Sequence, residues 1–137
     1  MSENKAAASY TLPVRVRFSE TDAMGIVYHA RYFEYLEAAR IAMLGAMGVP
    51  YPALVAAGFH LPVVEAQIRY RAPAKFDDVL EVQVVMEQME GVTFTLHYKI
   101  TRGPTLLAEA QTTHAFINLQ GQPVRPPKMF LEKVKGK

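Results

Sequence analysis

The hydrophobic period of the chain changes twice. Leu12, Val14, Val16 and Phe18 alternate with Pro13, Arg15 and Arg17, the repeat of a strand with one buried face. The pattern breaks at Ser19. From about Ala30 it turns helical, with Tyr32, Phe33, Tyr35, Leu36, Ala39, Met43, Leu44 and Met47 covering most of the circumference. Charge is confined to Arg31, Glu34, Glu37 and Arg40, whose spacing leaves a narrow polar stripe. A helix this apolar must be wrapped by the rest of the chain. Gly48 is placed to cap its C-terminus, and Pro50 prevents continuation.

Residues 51–57 suggest one further helical turn, closed by Gly58. Beyond it the period returns to that of strands. Val64, Ala66, Ile68 and Tyr70 alternate with Glu65, Gln67, Arg69 and Arg71; Leu80, Val82, Val84 and Met86 alternate with Glu81, Gln83, Val85 and Glu87. Val92, Phe94, Leu96, Tyr98 and Ile100 then alternate with Thr93, Thr95, His97, Lys99 and Thr101, and a last strand is expected over residues 106–118. Turn residues fall at 73–78, 90–91, 102–104 and 120–123. The order is strand, long buried helix, then four consecutive antiparallel strands, which defines an α+β fold with sheet on one side and helix on the other. Residues 1–137 form one domain, with residues 1–10 expected as a flexible leader and residues 126–137 as a basic, extended, partly ordered tail.

Composition removes several function classes. With no cysteine, no disulfide framework, thiolate nucleophile or zinc–thiolate site can form. No run approaches the roughly 18 apolar residues of a membrane span, and the N-terminal residues lack a signal peptide's apolar region, so a cytoplasmic protein is expected. A net charge of +2 gives no reason to expect nucleic acid as a partner. The basic residues do cluster locally: Arg15 and Arg17, then Arg69, Arg71 and Lys75, then the tail. Such clusters read either as solvated faces or as a rim attracting phosphates.

Candidate chemistry concentrates in residues 18–36. There a strand ends, a loop carries Asp22 and Gly25, and an aromatic-rich helix begins near His29. A carboxylate before a helix N-terminus can act on a carbonyl carbon while the helix end polarises the oxygen. The plainer reading makes Asp22 a helix cap, although the loop is long for that. Gly25 permits a positive φ or close approach of a ligand. Tyr28, ahead of the helix proper, could line an acyl or aryl pocket, whereas Tyr32 and Tyr35 have the spacing of core residues. His29 reads either as a packed histidine, hydrogen-bonded to Glu20 or the loop, or as a group that moves a proton. His60, His97 and His114 lack metal-ligand spacing, so no metal or other cofactor is expected. Asp77 and Asp78 read as turn residues, and no serine sits in a nucleophile elbow.

The run Asp22-Ala-Met-Gly25-Ile-Val-Tyr28-His29-Ala-Arg-Tyr32-Phe33 resembles the signature of the 4-hydroxybenzoyl-CoA thioesterase-like branch of the hotdog-fold acyl-CoA thioesterases. A second match, Tyr70-Arg71-Ala-Pro73-Ala74-Lys-Phe-Asp77-Asp78, lies where that family has a strand end and turn; the resemblance as a whole covers about residues 12–128. The resemblance implies a hotdog fold, a curved antiparallel sheet wrapped around a long central helix. It implies that Asp22 is the catalytic carboxylate, either attacking the thioester carbon or activating water. It implies that the His29 backbone N–H polarises the carbonyl, a donor worth about 3 kcal/mol when preorganised. Some relatives use a histidine side chain here, together with a tyrosine where this chain has Phe18, so that arrangement is incomplete. Gly25, Tyr28, Tyr32, Tyr70 and Arg71 would contact substrate. The expected partners are acyl-CoA or an acyl-carrier protein and further copies of the chain, as a homodimer or homotetramer. A non-catalytic acyl-binding domain is the reading from another class.

Overall fold

The computed structural model describes residues 8–87, 89 and 91–135, the side chain of Lys135 excepted. β1 (Ala8–Arg15) leads through a 3-10 turn (Phe18–Glu20) and a loop into a second 3-10 turn (His29–Arg31), which runs directly into α1 (Tyr32–Met47). There follow α2 (Tyr51–Ala56), β2 (Phe59–His60), β3 (Val63–Tyr70), β4 (Val79–Met86), β5 (Thr93–Arg102), β6 (Thr105–Ala115), β7 (Ile117–Asn118) and α3 (Lys128–Lys135). Five strands form one antiparallel sheet in the order β1-β4-β5-β6-β3, and β2 pairs with β7.

Alternation decides which face is inside. Leu80, Val82, Val84 and Met86 of β4 and Phe94, Leu96, Tyr98 and Ile100 of β5 are buried, and Tyr35, Leu36, Ala39, Met43 and Leu44 of α1 join them in one core. α1 runs alongside β1 and β4. It ends as the sequence requires: Gly48 takes φ +88°, and the Val49 N–H returns to the Leu44 carbonyl at 3.0 Å. β3 is different. Its core-side residues Ala66, Ile68 and Tyr70 stand opposite the buried Thr112, Ala110 and Ala108 of β6, yet Ala66 and Tyr70 are exposed and Ile68 half-buried. The inner face of this edge strand is thus left uncovered, and its outer edge has no strand beside it among the described residues.

One directional chain of hydrogen bonds crosses the core. Arg40 Nη1 donates to Tyr98 OH (3.1 Å), which lies 2.7 Å from Thr112 Oγ1, itself 2.9 Å from His114 Nε2. His114 Nδ1 reaches the Leu61 carbonyl at 3.3 Å.

Four expectations are corrected. The tail is not extended: α3 buries Phe130 and Val134, and the Phe130 ring lies 4.8 Å from that of Phe116. The prolines ahead of it start the helix, since Pro127 accepts the Phe130 and Leu131 amides. At the other end, Ala8 pairs with Met86, so residues 8–10, expected in the leader, belong to β1; residues 1–7 and 136–137 lie outside the described residues. The first strand stops at Arg15, and Phe18 turns outward, 73% exposed. The last strand breaks at Phe116, whose ring enters the core while β7 leaves to pair with β2.

Candidate active site

The loop carrying Asp22 is a small hairpin closed by a bridge between Thr21 and Val27. The Asp22 N–H donates to the Ile26 carbonyl and the Gly25 N–H to the Asp22 carbonyl, both at 2.9 Å. Gly25 adopts φ +80°, where a side chain would be strained. Asp22 Oδ1 accepts the Met24 N–H at 2.9 Å, so the carboxylate caps its own turn and not the helix. Its Oδ2 has no donor among the described residues, and the residue is partly exposed.

Backbone bonds stitch this hairpin to the body. Val27 N–H donates to the Ala74 carbonyl and Tyr28 N–H to the Glu20 carbonyl, both at 2.9 Å, and Ile26 bridges Lys75. The hairpin therefore hangs between the end of β1, the β3–β4 connection and the start of α1. The first helical turn is 3-10, its opening bond running from Arg31 N–H to the Tyr28 carbonyl at 2.8 Å. The amides of His29 and Ala30 have no protein acceptor among the described residues. Two free donors thus stand at the N-terminal end of a long helix, where the dipole favours negative charge.

Aromatic residues surround this end. The His29 ring lies 4.5 Å from that of Tyr28 and 6.4 Å from that of Tyr70, and the Tyr70 hydroxyl donates to the His29 carbonyl at 2.8 Å. The second motif thereby reaches the first: Tyr70 fixes the residue that supplies the free amide. Tyr28 and His29 are exposed. Tyr32, expected to contact substrate, is only 3% exposed; its hydroxyl accepts the Ala74 N–H at 3.2 Å and its ring packs 5.0 Å from that of Tyr70. It supports the wall from behind. Burial pushes its hydroxyl's pKa up. Arg71 is not brought into the cluster. It follows Tyr70, so its side chain leaves the other face of the sheet, where Nη2 meets Glu109 Oε1 at 2.8 Å.

The expected alternative for His29, a bond to Glu20, is not formed: Glu20 is buried and engages Arg17 and Tyr35. The sequence pointed to Glu20 only as a partner for His29, and to Tyr35 only as a core residue. Sequence reading missed Ala30, whose methyl side chain gives no hint of its free amide. It also missed Phe76, which meets Phe18 edge-on at 5.7 Å, both rings exposed beside the hairpin. Asp77 and Asp78 behave as turn residues: Asp78 Oδ2 accepts the Lys75 N–H (2.9 Å) and Arg102 Nη1 (2.8 Å), and Asp77 pairs with Arg15. Among the described residues no group of His, Asp and Glu could hold a metal ion, and no helix is long and apolar enough to cross a membrane.

A curved antiparallel sheet around a long helix, with a carboxylate hairpin against the helix start, defines a hotdog-fold protein of thioesterase type. The profile of the thioesterase-like superfamily matches residues 16–134, and the chain belongs to that family. It is 35% identical over 125 residues to an acyl-CoA thioester hydrolase of Escherichia coli O6:H1, covering 90% of this chain and 93% of the relative. Among solved structures, a hypothetical protein from Aquifex aeolicus superposes with TM-score 0.87 at 36% identity, over 91% of this chain and 98% of that one. A 1,4-dihydroxy-2-naphthoyl-CoA thioesterase from Synechocystis gives TM-score 0.86 at 26% identity, over 93% and 96% of the two chains.

Proposed function

We propose that this protein hydrolyses acyl- or aryl-CoA thioesters to the free acid and coenzyme A, with Asp22 as the reacting carboxylate. The observation that carries this reading is the pairing of a carboxylate oxygen with helix-start amides, none of them having a partner among the described residues, on one hairpin-and-helix unit. The thioester oxygen would accept the His29 N–H, drawing electrons from the carbonyl carbon. Asp22 Oδ2 then adds to that carbon and expels the thiolate, leaving an anhydride that water opens; alternatively it takes a proton from the water that adds. Gly25 leaves room above the turn, and Tyr28, His29 and Tyr70 wall the site.

The test is Asp22→Asn against short, long, branched and aryl acyl-CoAs and an acyl-carrier protein. Hydrolysis should fall by about 10²-fold or more with the fold retained; near-wild-type turnover would remove Asp22 from the mechanism. Ligand binding with no hydrolysis of any thioester by the unsubstituted protein would mark an acyl-binding domain instead. After a single turnover in ¹⁸O-water, label in the Asp22 carboxylate would establish the anhydride route. The base route always labels the product acid, whereas an anhydride opened at the aspartyl carbon labels the protein.

We also propose that the site is completed by a second copy of the chain along β3. Antiparallel pairing of two β3 strands centred on Gln67 sets Glu65 against Arg69 and Ala66 against Ile68, matching charge on one face and apolar groups on the other. It would cover the face that α1 leaves open, and two such dimers could pair again. Light scattering on the purified protein should give a mass of two or four chains; a monomer at assay concentration would refute the pairing.

A further inference from the structure

Glu20 is the only buried carboxylate among the described residues, 5% exposed. All three of its side-chain bonds are short: Oε1 accepts the Arg17 N–H (2.9 Å) and the Tyr35 hydroxyl (2.8 Å), and Oε2 accepts Arg17 Nε–H (2.9 Å). Burial alone would push its pKa up, but these hydrogen bonds outweigh it and hold the carboxyl below its ordinary range. Tyr35 keeps its proton, because burial and the Glu20 charge both raise its pKa. The donor and the acceptor are therefore both in the state the bond requires.

What this carboxylate joins is specific. Arg17 is where the chain leaves β1, and Tyr35 is on the first turn of α1. Glu20 and Tyr28 are the roots of the Asp22 hairpin, tied to each other by the Tyr28 N–H to Glu20 carbonyl bond. Tyr28 immediately precedes the His29 amide. A buried ionised group is a poor way to gain stability, since apolar residues of similar size often do as well or better. It is an effective way to fix a geometry, since three directional bonds must be satisfied together.

We infer that Glu20 is a positioning residue: bridging Arg17 and Tyr35, it sets the placement of the Asp22 carboxylate relative to the free amides that open α1. This rests on the Asp22 reading above. Glu20 touches no substrate and acts only through the hairpin it anchors.

The experiment compares Glu20→Gln, Tyr35→Phe, Asp22→Asn and the pair Glu20→Gln with Asp22→Asn, in full-length protein checked for a cooperative thermal transition. Glutamine keeps the size but cannot accept from all three donors. Glu20→Gln should lower kcat by about 10- to 100-fold with KM within about twofold, as expected for displaced reacting groups. Tyr35→Phe, which withdraws one donor, should lower kcat by about three- to tenfold. In the Asp22→Asn background Glu20→Gln should cost less than about twofold, because the group it positions is already gone. A lower melting temperature with unchanged kcat would show a purely structural role and overturn the inference, as would losses that multiply in the double variant. Should Glu20→Gln not fold, Tyr35→Phe alone and combined with Asp22→Asn decides the same question. Full activity in Asp22→Asn would instead sink the proposed mechanism, and this inference with it.

Discussion

The polar chain through the core yields a quantitative forecast of acid stability. His114 is fully buried, with Nδ1 against the Leu61 carbonyl and Nε2 against Thr112 Oγ1. The carbonyl can only accept, so Nδ1 carries the proton and Nε2 accepts from Thr112. Thr112 in turn accepts from Tyr98, and Tyr98 from Arg40. A proton on Nε2 would leave Thr112 without its acceptor and add a charge near that of Arg40. Burial first, and the Arg40 charge second, pull the His114 pKa from 6.5 to about 4. Between those values the unfolded chain binds a proton that the native state refuses. Stability is therefore fully present above pH 6.5 and declines as pH falls towards about 4. The whole window is worth about 3 kcal/mol, and the part between pH 7 and pH 5 about 2 kcal/mol. Urea unfolding of wild type and His114→Gln, at one protein concentration and both pH values, isolates this contribution from titrations common to both. The wild type should lose about 2 kcal/mol more than the variant on going to pH 5. Equal losses would refute the assignment of a neutral, chain-terminating His114.

Two further substitutions probe what holds the site. Phe130→Ala empties a fully buried position between Phe94 and Phe116 and should cost about 3–5 kcal/mol in urea unfolding, whereas an unpacked tail would cost almost nothing. Tyr70→Phe removes the bond to the His29 carbonyl; stability should fall by about 1 kcal/mol. Its kcat should fall more than its KM rises, because the change displaces the proposed oxyanion donor. Unchanged kinetics would show that the His29 amide is placed without Tyr70.

Periodicity was sufficient for most of the fold because alternation and helical spacing are local consequences of where each side chain points. The buried faces of β4 and β5 and the Gly48 cap follow from it; α1 buries Tyr32, Tyr35, Leu36, Ala39, Met43 and Leu44 on one side but leaves Phe33 and Ile41 exposed on the other, so it is less enclosed than its apolar pattern implies. The same logic fails where one residue serves two neighbours. Phe18 continues the alternation of β1 but belongs to the turn that follows, and Phe116 interrupts a strand so that its ring can enter the core. The basic tail has the composition of a loose segment. Yet Phe130 and Val134 share one helical face, and a matching surface elsewhere turns that face into an anchor.

By itself the sequence determined the layer order, the placement of Asp22 and Gly25 ahead of a helix, and the motif that marks the family. Only the tertiary structure decided which oxygen of Asp22 is occupied and which helix-start amides are free. It also showed that Tyr70 reaches His29, that Tyr32 does not face outward and that Arg71 turns to Glu109. The physical reason is that hydrogen-bond partners lying tens of residues apart are chosen by how the strands and helix pack. Glu20 shows the limit most clearly. A lone acidic residue in a polar loop carries no local sign that it will be buried, until Tyr35 and Arg17 close around it.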